Sequence, residues 1–497
     1  SGTLHTSTTT GNEDFTYDDL DRVTKREIRH TVNSDPSRYF ENIVDTTYTG
    51  DDFSTSLRVR TYTSTVNGVP TTYTLTYDGC GRITKIELGG GEEIRYVYDH
   101  LGQLIREDNG PRGATYLYTY DNAGNLIEKG EYDLTDAGET PWTDFGINEL
   151  HYASSTWGDL LTGFDDYEFT YDASGNLTSY WNATFSWTGN RLTGMTRYGN
   201  TFSFTYNDEG IRTSKTKNGV TTTYYLNGSQ ILAEGTGGNV TVYLYDTLGS
   251  PVGMRYHAES YAADVWDVFW FEKNPLGDIV AVYDAAGTKL VSYLYDAWGN
   301  RQVSAQNGGE NTAAWRNPFG YRGYYFDVDT CFYYLNARYY DAELCRFLSP
   351  DSPDYLVPSS LTGVNLFSYC GNNPVMGYDP DGTWDWGTFW DGVVSVGSVV
   401  AGGVAGVAVG AKVLISTANI GLAVAGGTAT AAAVTGTINN GVNAIYYHFS
   451  DGVSDLEQNA KEKGSSYVSE GYINRWRRLD YVKSQLGGEY NLNAWRY

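Results

Sequence analysis

The sequence predicts a mainly β protein built as a train of hairpins, and three observations predict it. A Tyr-Asp pair with a glycine or aspartate three residues beyond the Asp recurs between Phe15 and Tyr295. The 497 residues include 44 tyrosines and 58 glycines but only 19% charged residues, a balance that suits sheets and turns better than helices. The pattern ends near Gly382, and from Trp384 the chain becomes rich in Ala, Gly and Val.

The repeats come first. FTYDDLDRVTK starts at Phe15, TYDGCGRITKI at Thr76, VYDHLGQLIRE at Val97, TYDNAGNLIEK at Thr119 and TYDASGNLTSY at Thr170. Looser copies begin at Thr205, Tyr225, Leu244, Val282 and Leu294. Tyr77, Tyr98 and Tyr120 set a period of about twenty residues, as in solenoids and arrays. Alternating Tyr, Thr and Val before the Asp make a strand, Asp-x-x-Gly turns the chain, and the apolar-polar run that follows returns it. The unit is therefore a β-hairpin. A lone hairpin is marginal in water, so neighbours must pair edge to edge, with tyrosine rings packed along one face. Each Tyr-Asp is explained by packing and turning, and the function of the set is architectural.

Tyr77-Asp78 with Gly81-Arg82, Tyr98-Asp99 with Gly102, Tyr120-Asp121 with Gly124-Asn125 and Tyr171-Asp172 with Gly175-Asn176 closely resemble the YD repeats of Rhs proteins, Tc-toxin C components and teneurins. The resemblance implies a β-strip wound into a hollow shell around another polypeptide. This chain has about ten to fifteen hairpins by the repeat spacing, which implies an open or partial shell.

Beyond Tyr295 the sequence tightens into NPFGYRGYYFDVDTCFYYLNARYYDAELCRFLSPD and then LTGVNLFSYCGNNPVMGYDPDG. Tyr321-Arg322-Gly323-Tyr324, Tyr333-Tyr334-Leu335, Ala337 to Asp341, Arg346 to Ser349 and Asn373-Pro374 resemble the Rhs-associated core, the segment that closes such a shell. Arg338 and Arg346 are expected to pair with acids and hold this segment together. Cys331 and Cys345 stand where the family has glycine and Ala342 where it has proline; the cysteines are either bridged or, the favoured reading, small buried hydrophobes. With Cys80 and Cys370 they show no CxxC spacing, so no zinc site, disulfide framework or other cofactor is indicated.

Asp-Pro-Asp-Gly from Asp379 reads by itself as a turn. Spaced from Pro374 as P-x-x-x-x-D-P-x-G, it resembles the family's self-cleavage site, which implies a cut between Thr383 and Trp384, with Thr383 where the family has Leu. The implied chemistry is aspartyl proteolysis by two carboxylates too close for both to ionise, one acting as base toward water and the other as acid. Asp379 is the first carboxylate; the resemblance makes Asp351 the second, with Asp354 as a local alternative. No other catalytic motif is present.

The expected organisation is a repeat shell over 1–300, a closing core over 301–383, an apolar segment over 384–445 and a polar variable region over 446–497. Gly392 to Ala411 is uncharged and about long enough to cross a bilayer, and Val413 to Thr437 supplies a second pass; packing inside the shell is the alternative fate of these small-residue helices. In the polar region Trp476, Leu479, Val482 and Leu486 are spaced for one buried helical face. His448, Asp451 and Asp455 lack metal-site spacing, and Arg475, Arg477 and Arg478 make a basic patch too short to argue nucleic-acid binding by itself. A net charge of −26 argues against nucleic acid as a partner of the shell.

The functional expectation is a bacterial, secreted or cell-surface shell fragment that encloses its own C-terminal toxin polypeptide, with any export signal outside this sequence. A surface adhesion protein that binds a glycan, a protein or a target-cell membrane is the rival reading.

Overall fold

The computed structural model describes residues 9–383 except 19–21, 33–34, 50–57, 137, 142–143, 154–156, 247–248 and 354–363. The expected helices within 384–445, the polar region 446–497, Trp384 and Asp354 lie outside the described residues.

Antiparallel sheet dominates the described chain. One sheet has 13 strands and a second has 14, and in both the spatial order is the sequence order. A third sheet of four strands follows. Such a strict meander is what end-to-end hairpins produce, since each strand finds its partner in the next. Before Tyr321 the only helical elements among the described residues are three short 3₁₀ turns.

The Tyr-Asp motif works through two local devices. At Asp78, which follows strand β5 (Val69–Tyr77), one carboxylate oxygen accepts the amides of Cys80 and Arg82, both at 2.9 Å, and the other accepts the Arg82 side chain at 2.6 Å. Asp99, Asp121, Asp172 and Asp296 bind the side chains of Gln103, Asn125, Asn176 and Asn300 in the same way. The intervening glycine takes a left-handed φ, +85° at Gly81, which explains why the repeat keeps Gly there. The tyrosine supplies the second device. Tyr77 donates its hydroxyl to the carbonyl of Val59, at the start of the preceding strand β4 (Val59–Val66), and Tyr98, Tyr120, Tyr152 and Tyr295 do the same to Ile83, Leu104, Leu126 and Ile279. Asp thus turns the hairpin and Tyr ties it to the one before.

The two large sheets are successive windings of a spiral, and they meet along a seam. Phe40 in β3 (Asp35–Tyr48) stacks on Trp270 in β24 (Asp267–Lys273) with ring centroids 5.5 Å apart. Arg26 pairs with Asp246 at 2.9 Å, and Asn109 donates to the Tyr295 carbonyl at 2.9 Å. Buried Glu107 accepts the Ala297 amide at 2.8 Å.

The small sheet comprises β28 (Tyr325–Asp327), β29 (Phe332–Leu335), β30 (Arg338–Asp341) and β31 (Arg346–Phe347). It seats on the turns of the repeats. Tyr333 and Tyr340, both fully buried, donate to the carbonyls of Gly299 and Trp298, Asn300 donates to Ala342, and Asn372 donates to Gln103 and to the carbonyl of Gly124. Arg212, from β19 (Arg212–Lys217), is enclosed by this sheet, ion-paired to Asp327 at 3.0 Å with its guanidinium 4.2 Å from the Tyr334 ring centre. The aromatic stretch is therefore the lining that joins both windings into one core.

The cysteines require a correction. Cys331 and Cys345 are unbridged, and Cys331 is exposed whereas Cys345 is buried. Both have left-handed φ, +61° and +59°, the conformation in which glycine is unstrained. Arg346 binds the Tyr152 hydroxyl at 3.0 Å and the Asp159 carbonyl at 2.6 Å, where a pairing with acids was expected of it.

Candidate functional site

Where the closing core ends, the chain passes against the hairpin turn between β29 and β30. Gly382 is wedged there. Its φ is +75°, and a Cβ on it would stand 2.4 Å from the Leu335 carbonyl oxygen and 3.0 Å from the Arg338 nitrogen. The Ala337 amide donates to the Asp381 carbonyl at 3.0 Å, and Arg338 Nε donates to the Gly382 carbonyl. Only glycine fits this passage.

Arg338 is the centre of the arrangement. Its guanidinium lies over the Phe347 ring, 3.6 Å from the centroid, and Nη1 donates to the Leu366 carbonyl at 3.0 Å. Nη2 stands 2.7 Å from Asp351 Oδ2 and 3.4 Å from Asp379 Oδ2. The two aspartates, 28 positions apart in sequence, thus converge on one nitrogen, and all three residues are buried.

Asp379 is further held at both ends. Its amide donates to the Tyr324 hydroxyl at 2.7 Å, and its Oδ1 accepts the amides of Gly382 at 2.9 Å and Thr383 at 3.1 Å. Burial pushes its carboxyl pKa up to about 6; Arg338 opposes the rise, and the charges of Asp381 and Asp351 add to it. A carboxyl in that range is divided between its acid and base forms near neutral pH, the condition general acid catalysis needs. Asp351 is fixed by its own amide, which donates to the Leu366 carbonyl at 3.0 Å. Thr383 is half-buried, and its hydroxyl donates to Asp381 at 2.8 Å.

Of the residues singled out from sequence, Asp351, Asp379 and Thr383 come together here. Arg338 was expected to pair with acids, but that it joins these two was not legible, nor were the parts of Tyr324, Phe347 and Asp381. Asp-Gly-Thr was the available signal for Asp381, a short acceptor two residues before a hydroxyl. No group of three or more metal-ligating side chains occurs among the described residues.

The profile of the teneurin YD-shell family matches residues 66–375. The tRNA nuclease WapA of Bacillus subtilis is 33% identical over 297 residues, covering 58% of this chain and 12% of WapA. The double-stranded DNA deaminase toxin A of Burkholderia cenocepacia is 29% identical over 422 residues, covering 74% of this chain and 28% of the toxin. The chain therefore spans only a minor part of the length of these relatives. Among solved structures, TcdB2-TccC3 without its hypervariable C-terminal region superposes with a TM-score of 0.55 at 17% identity, covering 75% of this chain and 20% of that one, a likeness of fold. With a match over more than half its length, the chain belongs to the teneurin YD-shell family.

Proposed function

We propose that this shell encloses the polypeptide that follows it, a toxin for delivery to a neighbouring cell, and separates from it by hydrolysis of the Thr383–Trp384 bond. The observation that carries the reading is the convergence of Asp351 and Asp379 on Arg338, with the backbone leading to Thr383 strung on Asp379. WapA is named a tRNA nuclease and the Burkholderia relative a deaminase toxin, and they support a toxin-bearing shell. The activity of the enclosed chain is left to its own residues beyond 384. The place of action that goes with this reading is outside the bacterium that makes it, secreted or on its surface. No helix among the described residues is long and apolar enough to cross a membrane.

In this mechanism Asp351, in its ion pair with Arg338, takes a proton from water as the water oxygen bonds to the Thr383 carbonyl carbon. Asp379 gives its proton to the carbonyl oxygen. The carbon–nitrogen bond then breaks, the Trp384 nitrogen leaves with the proton taken from water, and the hydroxyl proton returns to Asp379. Arg338 positions both acids and Gly382 lets the chain reach them. On a denaturing gel the wild-type chain should give a shell band and a fragment running from Trp384 to Tyr497. Asp379→Asn and Asp351→Asn should each give a single band, and two bands persisting in both variants would refute the mechanism.

A further inference from the structure

Asp381 touches neither Arg338 nor the buried acids, yet its carboxylate is aimed at the residue whose bond is to be cut. Oδ1 accepts the Thr383 hydroxyl at 2.8 Å and the Thr383 amide at 3.2 Å, while the same amide also reaches Asp379 at 3.1 Å. The backbone that carries Asp381 cannot shift to follow Thr383. Its carbonyl is bound by the Ala337 amide, and the next residue is the glycine packed against the Leu335 carbonyl. A threonine hydroxyl offers a handle that an aliphatic side chain lacks, and a carboxylate on a fixed backbone is an acceptor able to hold it with charge assistance.

We propose that Asp381 is a positioning residue for self-cleavage, whose carboxylate holds the Thr383 hydroxyl and amide and so sets where the Thr383 carbonyl lies relative to Asp379 and Asp351. This inference rests on the self-cleavage reading above. Small displacements of a reacting carbonyl cost rate steeply, so a contact remote from the bond-making atoms has leverage. Asp381 also acts through charge. The groups facing Asp379 are Arg338 and Asp351 at its carboxylate, Asp381 ahead of it, Tyr324 at its amide, and Cys370 and Tyr378 beside it. Of these, Asp381 is the first-ranking charge that favours the protonated form of Asp379, and Arg338 opposes it.

The test is a double-mutant cycle on the full chain. The protein is synthesised cell-free with a short radioactive pulse, exchanged into buffers from pH 5 to pH 8, and followed on denaturing gels. Thr383→Val removes the hydroxyl at nearly constant shape, and Asp381→Ala removes its acceptor. Each should slow cleavage by at least roughly 10-fold, and the double variant should be no slower than Asp381→Ala, because the contact that Thr383→Val deletes is among those that Asp381→Ala deletes. Asp381→Asn keeps an oxygen acceptor but removes the charge; it should cleave close to the wild-type rate at pH 5 while its activity declines at a lower pH than the wild type's. Asp381 is exposed, and matching circular dichroism melts will show that the variants fold. If the wild type cleaves but the two single effects multiply, or Asp381→Ala cleaves at the wild-type rate, the role of Asp381 is overturned and the self-cleavage reading stands. A wild-type chain that stays whole overturns both.

Discussion

Glu107 sits at the seam between the two windings, and replacing it with glutamine should reverse the order of stability between acid and alkaline pH. The side chain is fully buried, with Oε1 accepting Asn109 Nδ2 at 2.8 Å and Oε2 accepting the Ala297 amide at 2.8 Å. Burial, and then the charge of Asp296, push its carboxyl from 4.5 up to about 8, against the pull of the two amides and of Arg112. The folded protein therefore holds a proton that the unfolded chain has released. Stability from this group is fully present below about pH 4.5 and is lost as pH rises through 8, at about 1.4 kcal/mol per pH unit and roughly 5 kcal/mol in all. Glutamine does not titrate, but its NH₂ must face one of the two N–H donors, which costs about 1–2 kcal/mol at every pH. At pH 5 Glu107→Gln should melt below the wild type, and at pH 8.5 above it. The midpoint difference should change sign by a few degrees in all, on the order of 1–2 °C per kcal/mol for a chain of this size. A difference that is the same at both pH values would refute the assignment of a proton to the seam.

Three further outcomes follow from the fold. Phe40→Ala should cost about 3–5 kcal/mol by emptying the place stacked on Trp270, and hydrogen exchange should accelerate in β3 and β24 before it does in the small sheet. Tyr77→Phe and Tyr120→Phe each remove one hydroxyl tie to the preceding hairpin; each should cost about 1 kcal/mol in denaturant unfolding, and the costs should add because the two ties share no partner. Cys331→Gly, at an exposed position with left-handed φ, should raise stability by about 0.5–1 kcal/mol, whereas Cys331→Ala should leave the backbone strain in place and give no gain.

How much could be read in advance follows from how far apart the interacting residues are. The hairpin repeat was legible because its devices are local. Asp78 is satisfied within four residues by Cys80 and Arg82, Gly81 supplies the turn, and the strands alternate with a period of two, so the stretch from Thr76 to Ile86 contains the whole instruction. The tyrosine ties span about twenty residues and were anticipated only as packing, since nothing in a tyrosine announces which carbonyl its hydroxyl will reach. At the site, Asp379, Gly382 and Thr383 lie within one turn of chain, which by itself reads only as a turn; the resemblance marked it as a cleavage site. Asp351 was matched to them by resemblance, not by any local pattern.

What only the tertiary structure decided are the meetings across long separations. Glu107 reaches Ala297 across 190 residues, Asn372 reaches Gln103 across 269, and Arg338 gathers Asp351 and Asp379 onto one guanidinium. These depend on how the hairpin strip curves and where one winding comes to lie on the last. Curvature is a sum of small twists at every strand pair, and a bulge at a single tyrosine, such as the register shifts beside Tyr77 and Tyr98, redirects everything after it. The sequence by itself therefore determined the repeating unit and the direction in which it grows, while burial of the aromatic core chose, among the ways of winding it, the one that sets the two acids against a single arginine.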